Sequence, residues 1–76
     1  MIKIKNYEVI KAFGKRLRDL RTSQNLSQEE LANLADIPLS QIGRIGRGEV
    51  NCTISTLYSI SKALNQSMEK LVSTIS

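Results

Sequence analysis

Ser27-Gln28-Glu29-Glu30-Leu31-Ala32-Asn33-Leu34-Ala35-Asp36-Ile37-Pro38-Leu39-Ser40-Gln41-Ile42-Gly43-Arg44-Ile45-Gly46-Arg47-Gly48 is the stretch that decides the fold. Ser27 and Glu30 form a capping box, in which the serine oxygen accepts from the Glu30 amide and the glutamate reaches back to the Ser27 amide. Leu31, Ala32, Leu34 and Ala35 follow, so a short helix starts here. Asp36-Ile37-Pro38 ends it, because proline disfavours helical geometry at Ile37 and is well tolerated at a helix start. The next helix is predicted from about Leu39, with Ile42 and Ile45 on its buried side and Gly48 as terminator.

On the N-terminal side, Asn6 is a plausible cap for a helix running to about Gln24. Val9, Ile10, Phe13, Leu17 and Leu20 make one core-facing stripe, with Lys11, Lys15, Arg18 and Thr22 on the opposite side. Strand-like alternation occurs only in Ile2-Lys3-Ile4-Lys5, where an edge strand and a frayed arm fit equally well. After Gly48, Val50-Asn51-Cys52 reads as a loop. Thr53 then caps a fourth helix outlined by Ile54, Leu57, Tyr58, Ile60, Ser61 and Leu64. Asn65-Gln66 breaks it, and Ser67 caps a fifth carrying Met68, Leu71, Val72 and Ile75. The expected class is all-α: a five-helix orthogonal bundle forming a single domain over residues 1–76.

Composition limits the chemistry. The 76 residues allow one small domain, and 41% apolar with 24% charged side chains is ordinary for a folded chain. No apolar run approaches the roughly 18 residues of a membrane span, and no signal peptide is visible after Met1. Histidine is absent, which removes the commonest general base and metal ligand. Cys52 is the lone cysteine, read as a mostly buried free thiol, so a cytoplasmic setting is the default. An enzyme would have little to work with, and neither a metal nor a cofactor is expected. Eleven Lys and Arg against seven acids give +4, and residues 1–21 hold seven of the bases against Glu8 and Asp19. Such a basic domain suggests a polyanionic partner.

Two helices joined by the turn at Asp36-Ile37-Pro38 make residues 27–48 a helix-turn-helix, whose second helix can protrude into the B-DNA major groove. Phe13-Gly14-Lys15-Arg16-Leu17-Arg18-Asp19-Leu20-Arg21 and Leu26-Ser27-Gln28-Glu29-Glu30-Leu31-Ala32 resemble the Cro/phage-repressor-type (XRE-like) helix-turn-helix family. So do Ile42-Gly43-Arg44-Ile45-Gly46-Arg47-Gly48-Glu49 and Thr53-Ile54-Ser55-Thr56-Leu57. The resemblance spans about residues 9–72 and implies a lambda-repressor-like DNA-binding domain.

The resemblance also implies roles. Gln28 matches the family's glutamine that bonds a DNA phosphate and braces the recognition helix. Leu39, Ser40, Gly43 and Arg44 occupy positions that usually face base edges, and Gln41 one where backbone contact is common. Arg47 and Asn51 lie where the family usually meets phosphates. Independently, Arg44 can pair bidentately with guanine, for about 1–3 kcal/mol of discrimination. Gln28 and Gln41 are neutral donors at helix N-termini, where anions are favoured. Plainer readings stand beside these: Gln28 merely extending its cap, Gln41 a solvated side chain, Arg44 and Arg47 ordinary surface charges.

Two positions depart from the family pattern. Residue 43 is often polar and residue 46 very often glutamate, and both are glycine here. Each glycine costs about 0.5–1 kcal/mol within a helix. Arg21 therefore lacks the carboxylate it usually meets, leaving Glu49 or a phosphate as substitutes. Gly43 leaves a sparse reading surface of Leu39, Ser40 and Arg44.

The leading expectation is a sequence-specific double-stranded DNA-binding transcription regulator that occupies a palindromic operator as a homodimer. Residues 67–76 would supply the dimer helix, and residues 1–5 a possible arm. The resemblance extends to stand-alone members such as restriction–modification controllers, small phage repressors and antitoxins, with no small-molecule ligand evident. The alternative is a protein–protein interaction module or antitoxin-like partner that keeps the bundle with little specific DNA reading. Gly43-Arg44-Ile45-Gly46 matches the GXXG loop of KH domains, but the sheet such a domain needs is not supplied. A membrane-surface helix would need the residue 9–20 stripe that the core requires.

Overall fold

The capping box forms as the sequence predicts. In the computed structural model, which describes residues 6–49 and 52–72, Ser27 Oγ accepts from the Glu30 amide at 3.0 Å and Glu30 Oε1 accepts from the Ser27 amide at 2.8 Å. Five helices follow in order: α1 (Asn6–Ser23), α2 (Gln28–Ala35), α3 (Leu39–Gly46), α4 (Ile54–Ala63) and α5 (Met68–Val72). No strand occurs among the described residues, and the bundle is all-helical. Residues 1–5, Val50, Asn51 and residues 73–76 with Ile75 lie outside the described set, as do the arm and the last turn predicted for the fifth helix.

The turns are made by polar residues in left-handed conformation. Asn25, Asp36 and Asn65 have φ of 60°, 58° and 57°, which short polar side chains tolerate better than others. Asp36 ends α2, and Pro38 opens α3 with φ −56°, as expected of a proline at a helix entrance. Thr53 caps α4 by accepting from the Thr56 amide at 3.1 Å, and Ser67 accepts from the Lys70 amide at 3.0 Å. Gly48 follows α3 at φ 74°, where an L side chain is strained and would also meet Lys11.

The core is Phe13 and Leu17 of α1, Leu31, Ala32 and Ala35 of α2, Ile42 and Ile45 of α3, Ile60 and Leu64 from α4 and its end, and Leu71 of α5. Helix α3 lies against α1 and α2, while α4 touches α2 and α5. The predicted α1 stripe is buried at Phe13 and Leu17, half-buried at Ile10 and Leu20, and exposed at Val9. On α4, Ile54 is 77% exposed and Tyr58 52% exposed, so these two of the predicted positions face outward. Cys52 is half-buried rather than mostly buried, and desolvation pushes its thiol above the ordinary value.

Gly14 sets how closely α1 and α3 approach. A Cβ there would lie 2.6 Å from the Ile45 carbonyl oxygen and 2.8 Å from that of Gly46, so only a hydrogen fits. With Ile42 and Ile45 anchored beneath, α3 is seated by its inner face and leaves the opposite one outside.

Candidate nucleic-acid interface

The buried residues of α3 are Ile42, Gly43, Ile45 and Gly46. Ser40, Arg44 and Arg47 recur at i, i+4 and i+7, one helical face, and all are exposed. Leu39 is exposed beside them at the first turn, whereas Gln41 lies to the side and is half-buried. Five predicted site residues thus belong to this short helix and its end. Asn51 lies outside the described residues.

Gln28 joins them from α2. A Cβ on Gly43 would stand 3.2 Å from Arg47 Nη1 and 3.4 Å from Gln28 Oε1, so those two side chains converge over the glycine backbone. The resemblance counts residue 43 among positions that usually face base edges, and in the DNA-free chain these two side chains cover it. Gly43 is buried under its neighbours, and the missing side chain makes room for Gln28 and Arg47.

Electrostatics on this surface are not uniformly positive. Arg47 donates from Nε to Glu49 Oε2 at 2.7 Å and from a terminal nitrogen to Oε1 at 3.3 Å. Arg44 Nε stands 4.0 Å from the same carboxylate. The bond from Arg47 holds the Glu49 carboxyl below the ordinary glutamate range and raises the guanidinium in turn. Glu49 therefore partners the outward arginines and not Arg21. Arg21 donates to the Leu26 carbonyl at 2.6 Å, tying α1 to the loop before α2.

Arg18 was not among the predicted site residues, and the helical wheel of α1 puts it with the solvent-facing side chains. In the structure its stem crosses to α3, and Nη1 donates to the Gly46 carbonyl. The open space at Gly46 is the one sequence signal that could have found it. A Cβ there would meet Arg18 Cγ at 3.5 Å.

Residues 17–71 match a helix-turn-helix family model. The chain belongs to the helix-turn-helix family. This helix-turn-helix protein is 38% identical over 65 residues to the control protein C.SmaI of Serratia marcescens, covering 86% of this chain and 77% of that one. It is 42% identical over 53 residues to the control protein C.BamHI of Bacillus amyloliquefaciens, covering 68% and 65%. The crystal structure of the restriction-modification controller protein C.AhdI from Aeromonas hydrophila superposes with a TM-score of 0.80 at 37% identity, covering 82% of this chain and 94% of that one. These similarities make the chain a DNA-binding transcription regulator, not an enzyme, whose partner is double-stranded DNA. No helix among the described residues is long and apolar enough to cross a membrane.

Proposed function

We propose that this protein is a controller-type regulator that occupies a palindromic operator as a homodimer, in the cytoplasm. The observation that carries the reading is the outward face of α3, where Ser40, Arg44 and Arg47 stand exposed beside Leu39 while the opposite face is locked to α1 and α2. A helix presented this way fits the major groove, which is about 12 Å wide. Arg44 pairs with a guanine edge, Leu39 meets a thymine methyl, and Ser40 bonds either a base or the backbone. Gln28 and Arg47, already converging over Gly43, take a phosphate between them. Gln41 and Asn51 add backbone contacts.

One such helix reads only a few base pairs, so two copies would sit about 34 Å apart, one turn of DNA. Apolar surface for pairing is available on α4 and α5, which pack on each other and leave Ile54, Tyr58 and Val72 exposed. Within residues 67–76, Leu71 belongs to the core and Val72 faces outward.

Selection from a randomised duplex pool, followed by a salt series on the retained sequence, tests the reading. A two-fold symmetric site bound at least ~10³-fold above shuffled duplex, with affinity falling steeply as salt rises, supports it. Weak binding to every duplex alike would point to an interaction module or antitoxin-like partner.

A further inference from the structure

We propose that Arg18 is a positioning residue for DNA reading: it fastens the C-terminal end of α3 from α1 and does not contact DNA. The inference rests on the reading of α3 as the recognition helix. The last carbonyls of a helix have no partner within it and must find one elsewhere. At the end of α3, the Arg47 amide bonds Gly43, the Gly48 amide bonds Ile45, and the Glu49 amide bonds Arg44. None of these three amides, and no other backbone amide among the described residues, bonds the Gly46 oxygen, and Arg18 Nη1 donates to it. The guanidinium thereby places a positive charge at the negative end of the recognition helix.

Three features make that reach possible. Gly14 precedes Arg18 by four residues, one turn on the same side of α1, and its lack of a side chain brings the α3 backbone close. Gly46 leaves its Cα open, and the Arg18 methylenes lie over it at ordinary contact distance. The resulting contact joins helix to helix through a side chain and a backbone carbonyl. It therefore constrains both the tilt and the axial position of α3, which decide whether Ser40 and Arg44 meet base edges together.

Arg18→Met keeps the apolar stem over Gly46 and removes the donor, and Arg18→Lys restores a cation. Two readouts are needed. Hydrogen exchange of the DNA-free protein should show the amides at the end of α3 exchanging about five- to tenfold faster in Arg18→Met, with those of α4 unchanged. The ratio of affinities for the pool-selected duplex and a shuffled duplex should fall about tenfold, with the slope of log affinity against log salt unchanged. Arg18→Lys should recover part of both.

A loss shared equally by both duplexes, with the slope reduced by about one, would identify Arg18 as a phosphate contact and overturn the proposal. Unchanged α3 exchange would overturn it whatever the DNA result. If α3 loosens as expected but the unsubstituted protein ignores every duplex, the fastening of α3 stands, and the reading of α3 as a recognition helix is what fails.

Discussion

Replacing Gly14 by alanine sets two effects of known sign against each other. On propensity alone, alanine in the interior of α1 should stabilise the helix by about 1 kcal/mol. The new methyl, however, would lie 2.6 Å from the Ile45 oxygen and 2.8 Å from the Gly46 oxygen. Even a close carbon–oxygen contact needs about 3.3 Å, so the two helices must separate by several tenths of an ångström. The obstructing atoms are backbone carbonyls in a packed helix and cannot swing aside as a side-chain end would. Overpacking of this kind costs about 1–3 kcal/mol, which outweighs the propensity gain in most of that range. The net loss should be about 0–2 kcal/mol, read as a fall in Tm of up to roughly 15 °C for a domain this small. Thermal unfolding followed by circular dichroism at matched protein concentration measures it. Gly46→Ala is the control, since among the described residues its methyl meets the Arg18 stem at ordinary contact distance, Cγ at 3.5 Å and Cδ at 3.9 Å. It should be neutral or stabilising by up to about 1 kcal/mol. An increase in Tm for Gly14→Ala would refute the claim that backbone contact seats α3.

Arg44→Ala should weaken the selected operator about 5- to 150-fold while shuffled duplex changes much less, measured by fluorescence anisotropy; equal losses on both would remove its base-reading role, and Lys15→Ala should leave the ratio nearly intact. Ser27→Ala breaks the reciprocal bonds of the capping box and should destabilise the protein by about 0.5–2 kcal/mol in a urea titration; no change in midpoint would mean that the cap is replaced by water. Glu49 and Asp19 both have carboxyls lowered by a basic partner, Arg47 and Lys15, so their contributions are present above the unfolded carboxylate pKa and vanish as pH falls through the lower folded one. Carbon-detected titration should place Glu49 below an unfolded glutamate, and Arg47→Gln should return it toward the ordinary value; an ordinary midpoint in the unsubstituted protein would show the pair is not formed in solution.

The signals legible in the sequence were local ones. Ser27 with Glu30, Pro38 and the caps at Thr53 and Ser67 each specify their own turn of backbone, and each forms where the pattern puts it. Periodicity identified Phe13, Leu17, Ile42 and Ile45 as buried because each recurs on one face of its helix, whereas Leu71, read with the dimer helix, belongs to the core. It outlined α4 without telling which of its apolar residues lack a neighbour: Ile60 and Leu64 are buried, Ile54 and Tyr58 exposed. Arg18 was illegible for another reason. A wheel records where the Cα points, whereas an arginine stem can run several ångströms around its helix before its charged end finds a partner. Gly43 and Arg21 depended on groups outside their own turn, the Gln28 and Arg47 side chains for one and the Leu26 backbone carbonyl for the other. No spacing rule encodes those meetings.

The Gly14 contact separates two tasks that proteins often entangle. The bearing of α3 is governed by main-chain atoms on its inner side, whereas Leu39, Ser40 and Arg44 project from elsewhere on the rod. If those three letters read the operator as proposed, altering them leaves the mounting untouched, and the protein would acquire a new DNA address without retuning the scaffold that carries it.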